Sequence, residues 1–293
     1  MKFKHLLFIL LWANTALLFA QPADFDKIFH PQTADEIAVM KKSPQKMVIA
    51  YSVSEEFMNG DTANYINGVK KYDADGRLIY SENYGMGTLI KYAYDNKGRV
   101  TEYFEDNGIE GGLLNFTISY TKKGAIETIE NKAKAGKSIS YNTTTKTILI
   151  SEAGGYIYRY TLNENNLLEK VVTEYYESRP YSSTITYNKK GLVIEEKGTR
   201  EVGEDIGNFV ATYIYKGDKL IKVEEVLTIP FLNTTQISTI SYTYNKDLLE
   251  NMSFTTAEKS IAFSYIYDDG ERPIQTNYFE EEELFAQQFF VYR

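Results

Sequence analysis

Residues 71–82 read KYDADGRLIYSE, and residues 94–105 read YDNKGRVTEYFE. Further along come YTKKGAIETIEN (120–131) and YNKKGLVIEEKG (187–198). Each stretch writes a tyrosine, a short polar run, a glycine and then an apolar-alternating segment. Taking the tyrosine as an anchor, the series is Tyr72, Tyr94, Tyr120, Tyr141, Tyr160, Tyr187, Tyr215, Tyr244, Tyr267 and Tyr292, spaced 19 to 29 residues apart. That is the length of a two-strand unit, and a fixed unit repeated along a chain is read before anything else. The run into each anchor alternates. Tyr156, Tyr158 and Tyr160 share one face, as do Ile261, Phe263, Tyr265 and Tyr267, while Thr239, Ser241 and Thr243 lie opposite apolar neighbours. Period two marks a half-buried strand. Asp73, Asp95, Asn188 and Asp268 follow the anchor and suit the first position of a type I turn. Gly76, Gly98, Gly124 and Gly191 stand four residues after it, where a positive φ returns the chain to a strand.

The unit is therefore a β-hairpin written about nine times. The spacing predicts an all-β chain of repetitive antiparallel hairpins, about twenty strands. A twisted open sheet of that size curls, splits or closes, so a long sheet rolling toward a barrel or shell is expected, with its Tyr/Phe face inside.

Tyr-Asp-x-x-Gly-Arg-Leu resembles the YD repeat of the Rhs family. YDADGRL (72–78) and YDNKGRV (94–100) are the best copies. YTKKGAI and YNKKGLV keep tyrosine and glycine, YKGDKLI, YNKDLLE and YDDGERPI are looser, and YNTTTKT and YTLNENN follow from spacing alone. The resemblance covers residues 46–293 and implies consecutive hairpins in a spiralling sheet. Larger relatives wind such sheets into a shell around a toxic cargo. No cargo domain or preceding core segment is recognisable in this sequence, so that role does not transfer with the fold.

The N-terminus differs. MKFKHLLFILLWANTALLFA (1–20) has two lysines, a short apolar run and Ala20 before Gln21, the layout of a secretory signal peptide. Its removal would take the only tryptophan, Trp12, and one of two histidines, His5, and would move the formal charge from −8 to −10. Such acidity disfavours nucleic-acid partners. The absence of cysteine excludes disulfides, thiolate chemistry and a lipidated cysteine at the cut. No second stretch is long and apolar enough for a membrane helix. Residues 21–45 read as a linker or a cover for the first strand edge, with a short helix in TADEIAVMKK capped by Thr33. Residues 46–293 form the β-domain.

Candidate chemistry is sparse. Asp73-Ala74-Asp75 before Gly76 has the look of a calcium loop, but Lys122–Lys123 and Lys189–Lys190 hold the equivalent places, so it reads as a turn. The doublets Glu195–Glu196 and Glu224–Glu225, and Glu280 to Glu283, read as a solvated acidic face. His30 reads as an exposed linker residue, Gly111–Gly112 and Gly154–Gly155 as turns, and Asp61-Thr62-Ala63 as an O-glycosylation acceptor. Anchor tyrosines read as core. Aromatics off the anchor positions, Tyr84, Tyr103, Tyr175, Tyr176, Tyr181, Phe231 and Tyr278, are the candidate ligand surface. No catalytic residue, metal or cofactor is assigned.

The expectation is an exported, non-enzymatic binding or scaffolding protein of the cell envelope, in the periplasm or at the surface, whose partner is an envelope protein or polysaccharide. Three alternatives stand beside it: an outer-membrane β-barrel, an envelope polysaccharide hydrolase, and a short Rhs relative that shields or delivers a partner protein. Charge on both faces of the outgoing strands, such as Glu127 and Glu130, weighs against the barrel.

Overall fold

The YDADG turn closes as a three-residue loop. Asp73 N–H donates to the Arg77 carbonyl at 2.9 Å, and Gly76 N–H donates to the Asp73 carbonyl at 3.1 Å. Gly76 takes φ +83°, a value that a side chain makes costly. The same pair of bonds recurs at Asp95–Arg99, Thr121–Ala125, Asn163–Leu167, Asn188–Leu192 and Asp268–Arg272. Gly98, Gly124 and Gly191 take the left-handed position as expected, with Asn166 and Glu271 filling it where glycine is missing. The polar opener closes the turn with its side chain too: Asp73, Asp95, Asn163, Asn188 and Asp268 each accept from the N–H four residues on.

The computed structural model describes residues 23–54, 65–108, 113–133, 136–152, 155–175, 180–203 and 205–293. The expected signal peptide and the Asp61-Thr62-Ala63 motif lie outside the described residues, as do Gly111–Gly112 and Tyr176. The strands are β1 (Met47–Ser54), β2 (Tyr65–Tyr72), β3 (Leu78–Asn83), β4 (Thr88–Tyr94), β5 (Val100–Asp106), β6 (Leu113–Tyr120) and β7 (Ile126–Asn131). Then follow β8 (Ser138–Asn142), β9 (Thr147–Ser151), β10 (Tyr156–Leu162), β11 (Leu168–Tyr175), β12 (Tyr181–Tyr187) and β13 (Val193–Val202). The last are β14 (Asp205–Lys216), β15 (Lys219–Ile229), β16 (Thr234–Asn245), β17 (Leu248–Thr255), β18 (Ser260–Tyr267), β19 (Pro273–Glu280) and β20 (Glu283–Tyr292).

These twenty strands form one antiparallel sheet. Each pairs with its successor except β7 with β8, and β1 pairs with both β2 and β20. The sheet is thus a nearly closed barrel with a single seam among the described residues. At the seam Lys132 N–H donates to the Asn115 carbonyl at 2.7 Å and Lys137 N–H to the Leu113 carbonyl at 3.1 Å, stitching the β7–β8 connection back onto β6.

A bulge follows almost every anchor. Tyr72 pairs with Leu78 but Lys71 pairs with Tyr80, so Ile79 is extra. Thr101, Glu127, Glu169, Ile194, Ile221, Glu250 and Ile274 are extra in the same way. The β8–β9 hairpin, beside the seam, has none. This register also corrects one anchor. In the β10–β11 hairpin the residue before the turn and opposite the first outgoing residue is Leu162, paired with Leu168. Tyr160 lies two residues further in. Spacing between tyrosines selected it because Leu162 has no ring to be seen.

The bulge leaves the first outgoing residue outside the next ladder, and the next anchor supplies its hydrogen bond. The Tyr94 hydroxyl donates to the Leu78 carbonyl at 2.6 Å, Tyr120 to Val100 at 2.8 Å, and Tyr187 to Leu168 at 2.6 Å. Tyr244, Tyr267 and Tyr292 do the same to Leu220, Leu249 and Pro273. Where the turn opens with aspartate, the fifth residue is an arginine that both pairs with it and covers the next anchor. Arg77 Nε lies 2.7 Å from Asp73 with its guanidinium 5.1 Å from the Tyr94 ring centre, and Arg99 stands 4.2 Å from that of Tyr120. Where the opener is Thr121, Asn163 or Asn188, with no charge to balance, the fifth residue is Ala125, Leu167 or Leu192.

The N-terminal segment is more than a linker. Helix α1 (Ala23–Phe29) sits inside the barrel with Phe25 and Ile28 buried in its core. The Phe25 ring is 5.8 Å from Tyr160, Tyr92 donates its hydroxyl to the Lys27 carbonyl at 2.8 Å, and Lys27 pairs with Glu105 at 2.6 Å. His30, directly after α1, is exposed as expected. Helix α2 (Ala34–Lys42) begins at Thr33, which forms a capping box with Glu36. It lies over the first turn so closely that a Cβ on Gly76 would stand 2.4 Å from the Ile37 carbonyl oxygen. The cover expected for the first strand edge is not its role, because β20 pairs with that edge and closure leaves nothing there to cover.

Replacing Tyr120 by Phe should lower unfolding free energy by about 1–2 kcal/mol, because it strands the Val100 carbonyl without a donor. Tyr84→Phe, on an exposed turn, should stay within about 0.5 kcal/mol. Equal urea midpoints for the two variants would show that the phenol bond contributes nothing. Burial also lifts the Tyr120 and Tyr242 hydroxyls from 10.0 to about 12. The fold favours the protonated phenols, so their contribution is whole below pH 10 and drains as pH rises toward 12. Tyrosinate absorbance and loss of the β circular-dichroism signal should climb together in that window; tyrosinate forming well before unfolding would contradict this.

Candidate functional site

One rule decides which side chains meet inside. The bulge after each anchor shifts the alternation by one, so the inward positions of an outgoing strand are its first, fourth and sixth residues. Counted from the residue opposite the anchor, these are Val100, Tyr103 and Glu105 on β5, and Leu220, Val223 and Glu225 on β15. Polar and aromatic residues that plain alternation places outside are thereby turned in.

The turn end of the barrel is apolar within and the opposite end is not. Across β12 to β16 one inward row runs Ile185, Glu196, Ala211, Glu225, Ser238. Glu196 and Glu225 are two strands apart, a backbone separation of about 10 Å. Glu225 is only 5% exposed, and Arg200 grips both its oxygens, at 2.9 Å to Oε2 and 2.5 Å to Oε1. Burial, reinforced by the Glu225 charge, pushes the Glu196 carboxyl above its ordinary value despite a hydrogen bond from Ser183. The Tyr213 hydroxyl is buried near Glu196 and makes no full hydrogen bond.

Next to this group, at the open rim, four tyrosines converge. Tyr156 pairs across with Tyr175, ring centres 4.3 Å apart, and stacks on Tyr158 at 6.2 Å. Tyr158 and Tyr181 flank the buried Thr173 from β10 and β12. All four rings are partly or well exposed. Tyr158 in turn stacks on Tyr160, which meets Phe25, so an aromatic column runs from the rim to the core.

Two of the sequence-predicted surface aromatics, Tyr175 and Tyr181, belong to this mouth. Tyr156 and Tyr158 were missed because their strand read as core; the signal was the same YIYRY alternation carried past the point where the core ends. Tyr84 and Phe231 are exposed on separate turns, far from it in the strand order. Tyr103 and Tyr278 are corrections. Tyr103 is fully buried between Tyr92 and Phe116, and Tyr278 packs on Phe263 inside the barrel. In both cases the bulge at Thr101 or Ile274 turns them inward. The acidic doublets are corrected in half: Glu195 and Glu224 face solvent beside Lys197 and Lys222, but Glu196 and Glu225 face in. Glu127 and Glu130, expected on opposite faces, are both exposed for the same reason. Asp73 has its carboxylate taken by Arg77, and Gly155 closes a turn at φ +90°, as read from the sequence.

No family model matches the chain, and no curated protein does. Among solved structures it is similar to a porin-like protein from Bacteroides uniformis at 11% identity, over 85% of this chain and 97% of that one, with a TM-score of 0.39. A porin-like protein from Bacteroides vulgatus matches at 11% identity, over 66% and 98%, with a TM-score of 0.37. A chain of the TcdB2–TccC3–Cdc42 complex matches at 13% identity over 79% of this chain, which spans 15% of that one, with a TM-score of 0.34. At these scores the likenesses carry no statement about activity.

The raised Glu196 carboxyl yields a pH test. The fold binds its proton more tightly than the unfolded chain does. Its contribution is whole below 4.5 and is lost as pH rises through the raised value. Glu196→Gln, which mimics the protonated form, should raise the melting temperature at pH 8 and leave it unchanged at pH 4. A gain of equal size at both would place the group elsewhere.

Proposed function

We propose that the protein is an exported, non-enzymatic binding protein of the cell envelope, and that the tyrosine mouth on β10–β12 is its ligand face. The observation that carries this is the set of four half-exposed rings, Tyr156, Tyr158, Tyr175 and Tyr181, gathered on the inner wall at the open rim. Phenol rings offer an apolar plane with a polar tip, which suits the alternating C–H and hydroxyl faces of a polysaccharide. The carboxylates below do not form a free pair for hydrolysis, because Arg200 holds both oxygens of Glu225. Titrating the protein with a panel of envelope polysaccharides should find a saturable ligand, with Tyr175→Ala/Tyr181→Ala weakening it at least tenfold. A blank panel would sink the glycan reading, and turnover of any polysaccharide would sink the non-enzymatic one.

A membrane-spanning barrel is the second reading, favoured by closure of the sheet through β1 and β20. A lipid-facing band is apolar. Here the outward positions of β12 are Ser182, Thr184 and Thr186, those of β13 include Glu195 and Lys197, and those of β16 include Thr239, Ser241 and Thr243. Among the described residues no helix is long and apolar enough to cross a membrane. The expected outcome is a protein that stays monodisperse without detergent; aggregation relieved only by detergent would favour the spanning barrel.

A further inference from the structure

Single apolar residues such as Ile194, Ile266, Ile274 and Val291 dot the outer face, but among the described residues they gather most densely on one hairpin. Strands β14, β15 and β16 run 12, 11 and 12 residues, against 8 for β17 and β18 and 7 for β12. The surplus carries the β15–β16 hairpin about five residues past the last β16–β17 pair, roughly 17 Å, and level with the β13–β14 hairpin on its other side. Its inner side is closed by a small core of its own, Phe209, Leu227 and Ile229 with Val202 against them. Its outer side is not. Val210, Val226 and Ile237 stand in one cross-strand row, all exposed, Ile237 by 60%. At the apex Phe231 is 80% exposed and Leu232 is exposed beside it. From Val226 to Ile240 the chain, VLTIPFLNTTQISTI, carries no charged residue, although a quarter of the whole sequence is charged.

We propose that this hairpin is a membrane-surface anchor that inserts Phe231 and Leu232 into the interfacial region of a neutral or zwitterionic bilayer. Three features select a lipid surface over a protein. The apex offers two exposed apolar side chains, Phe231 and Leu232, whereas a stable protein interface needs about 800 Å² on each partner. An interface of headgroups and upper acyl chains asks only for a few apolar groups and a rim of uncharged polar ones. Pro230, Asn233, Thr234 and Thr235 around the apex, with Thr228 below them, provide that rim with no charge in this stretch of the hairpin itself. The absence of lysine and arginine from residues 226–240, together with the acidic net charge, directs the apex away from anionic lipid. This site is independent of the tyrosine mouth, and either can fail without the other.

The test is flotation of the purified full chain with phosphatidylcholine–phosphatidylethanolamine vesicles, and separately with vesicles containing a third phosphatidylglycerol. Wild type should float with the first and less with the second. Phe231→Ser/Leu232→Ser should reduce the bound fraction at least tenfold, with unchanged circular dichroism and melting temperature, since both side chains are solvent-exposed. Val226→Thr/Ile237→Thr should give a smaller loss. Absence of wild-type flotation, or equal flotation of the apex variant, overturns the proposal. A concentration-dependent dimer abolished by the apex substitutions would overturn it in favour of a second copy of this chain.

Discussion

A backbone carbonyl that the sheet cannot satisfy by itself is the constraint around which each repeat is arranged. The bulge after the anchor pushes the first outgoing residue out of the following ladder, and its carbonyl is left to a side-chain donor. A buried acceptor without a donor costs more than an ordinary hydrogen bond contributes. The next anchor tyrosine resolves this by reaching across with its hydroxyl, as Tyr94 does to Leu78 and Tyr120 to Val100. Six hairpins are completed by their successors in this way, which is why the repeats read as one continuous array. The arginine of the Asp-x-x-Gly-Arg turn belongs to the same device, since it neutralises its own aspartate and covers the ring of the following anchor.

The bulge has a second consequence, which sets the character of the interior. By turning the fourth and sixth outgoing residues inward it fills the half near the turns with Val, Ile, Tyr and Phe. Toward the rim it brings in Glu105, Thr173, Glu196 and Glu225. Those charges are balanced locally, Glu105 by Lys27 from α1 and Glu225 by Arg200. Buried ion pairs of this kind contribute little net stability but are costly to break singly. The interior is thus graded, dry and aromatic at one end, polar and tyrosine-lined at the other. Helix α1 adds Phe25 and Ile28 to the apolar core.

Alkaline and acidic groups inside this gradient respond in the same sense for a shared reason. A buried phenol and the Glu196 carboxyl both resist losing a proton because their charged forms are poorly solvated there. Asp95 goes the other way. Burial alone would raise it, but hydrogen bonds from Arg99 and Lys97 and the nearby guanidinium hold its carboxyl below the ordinary value. Asp95 in its turn therefore favours the ionised form, as does the interior Glu105 beside Lys27, whereas Glu196 favours the neutral one.

The amino-acid sequence by itself determined the hairpin, its turn and its repetition. Asp73, Gly76 and Tyr72 act through bonds that span a few residues, and local chemistry suffices to read them. The Thr33 cap was legible on the same ground. Only the tertiary structure decided facing and closure. Whether Tyr103, Tyr278, Glu196 or Glu225 points in depends on one bulged residue per hairpin, and Thr101, Ile274, Ile194 and Ile221 carry no common mark that announces it. Leu162 escaped notice because an anchor is recognised by its ring while its place is fixed by register. The mouth joins Tyr156 to Tyr175 and Tyr181 through pairing across three strands, and closure pairs Ile49 with Val291 across nearly the whole chain. Contacts at such separations are set by where the sheet finishes turning, a property of all twenty strands together.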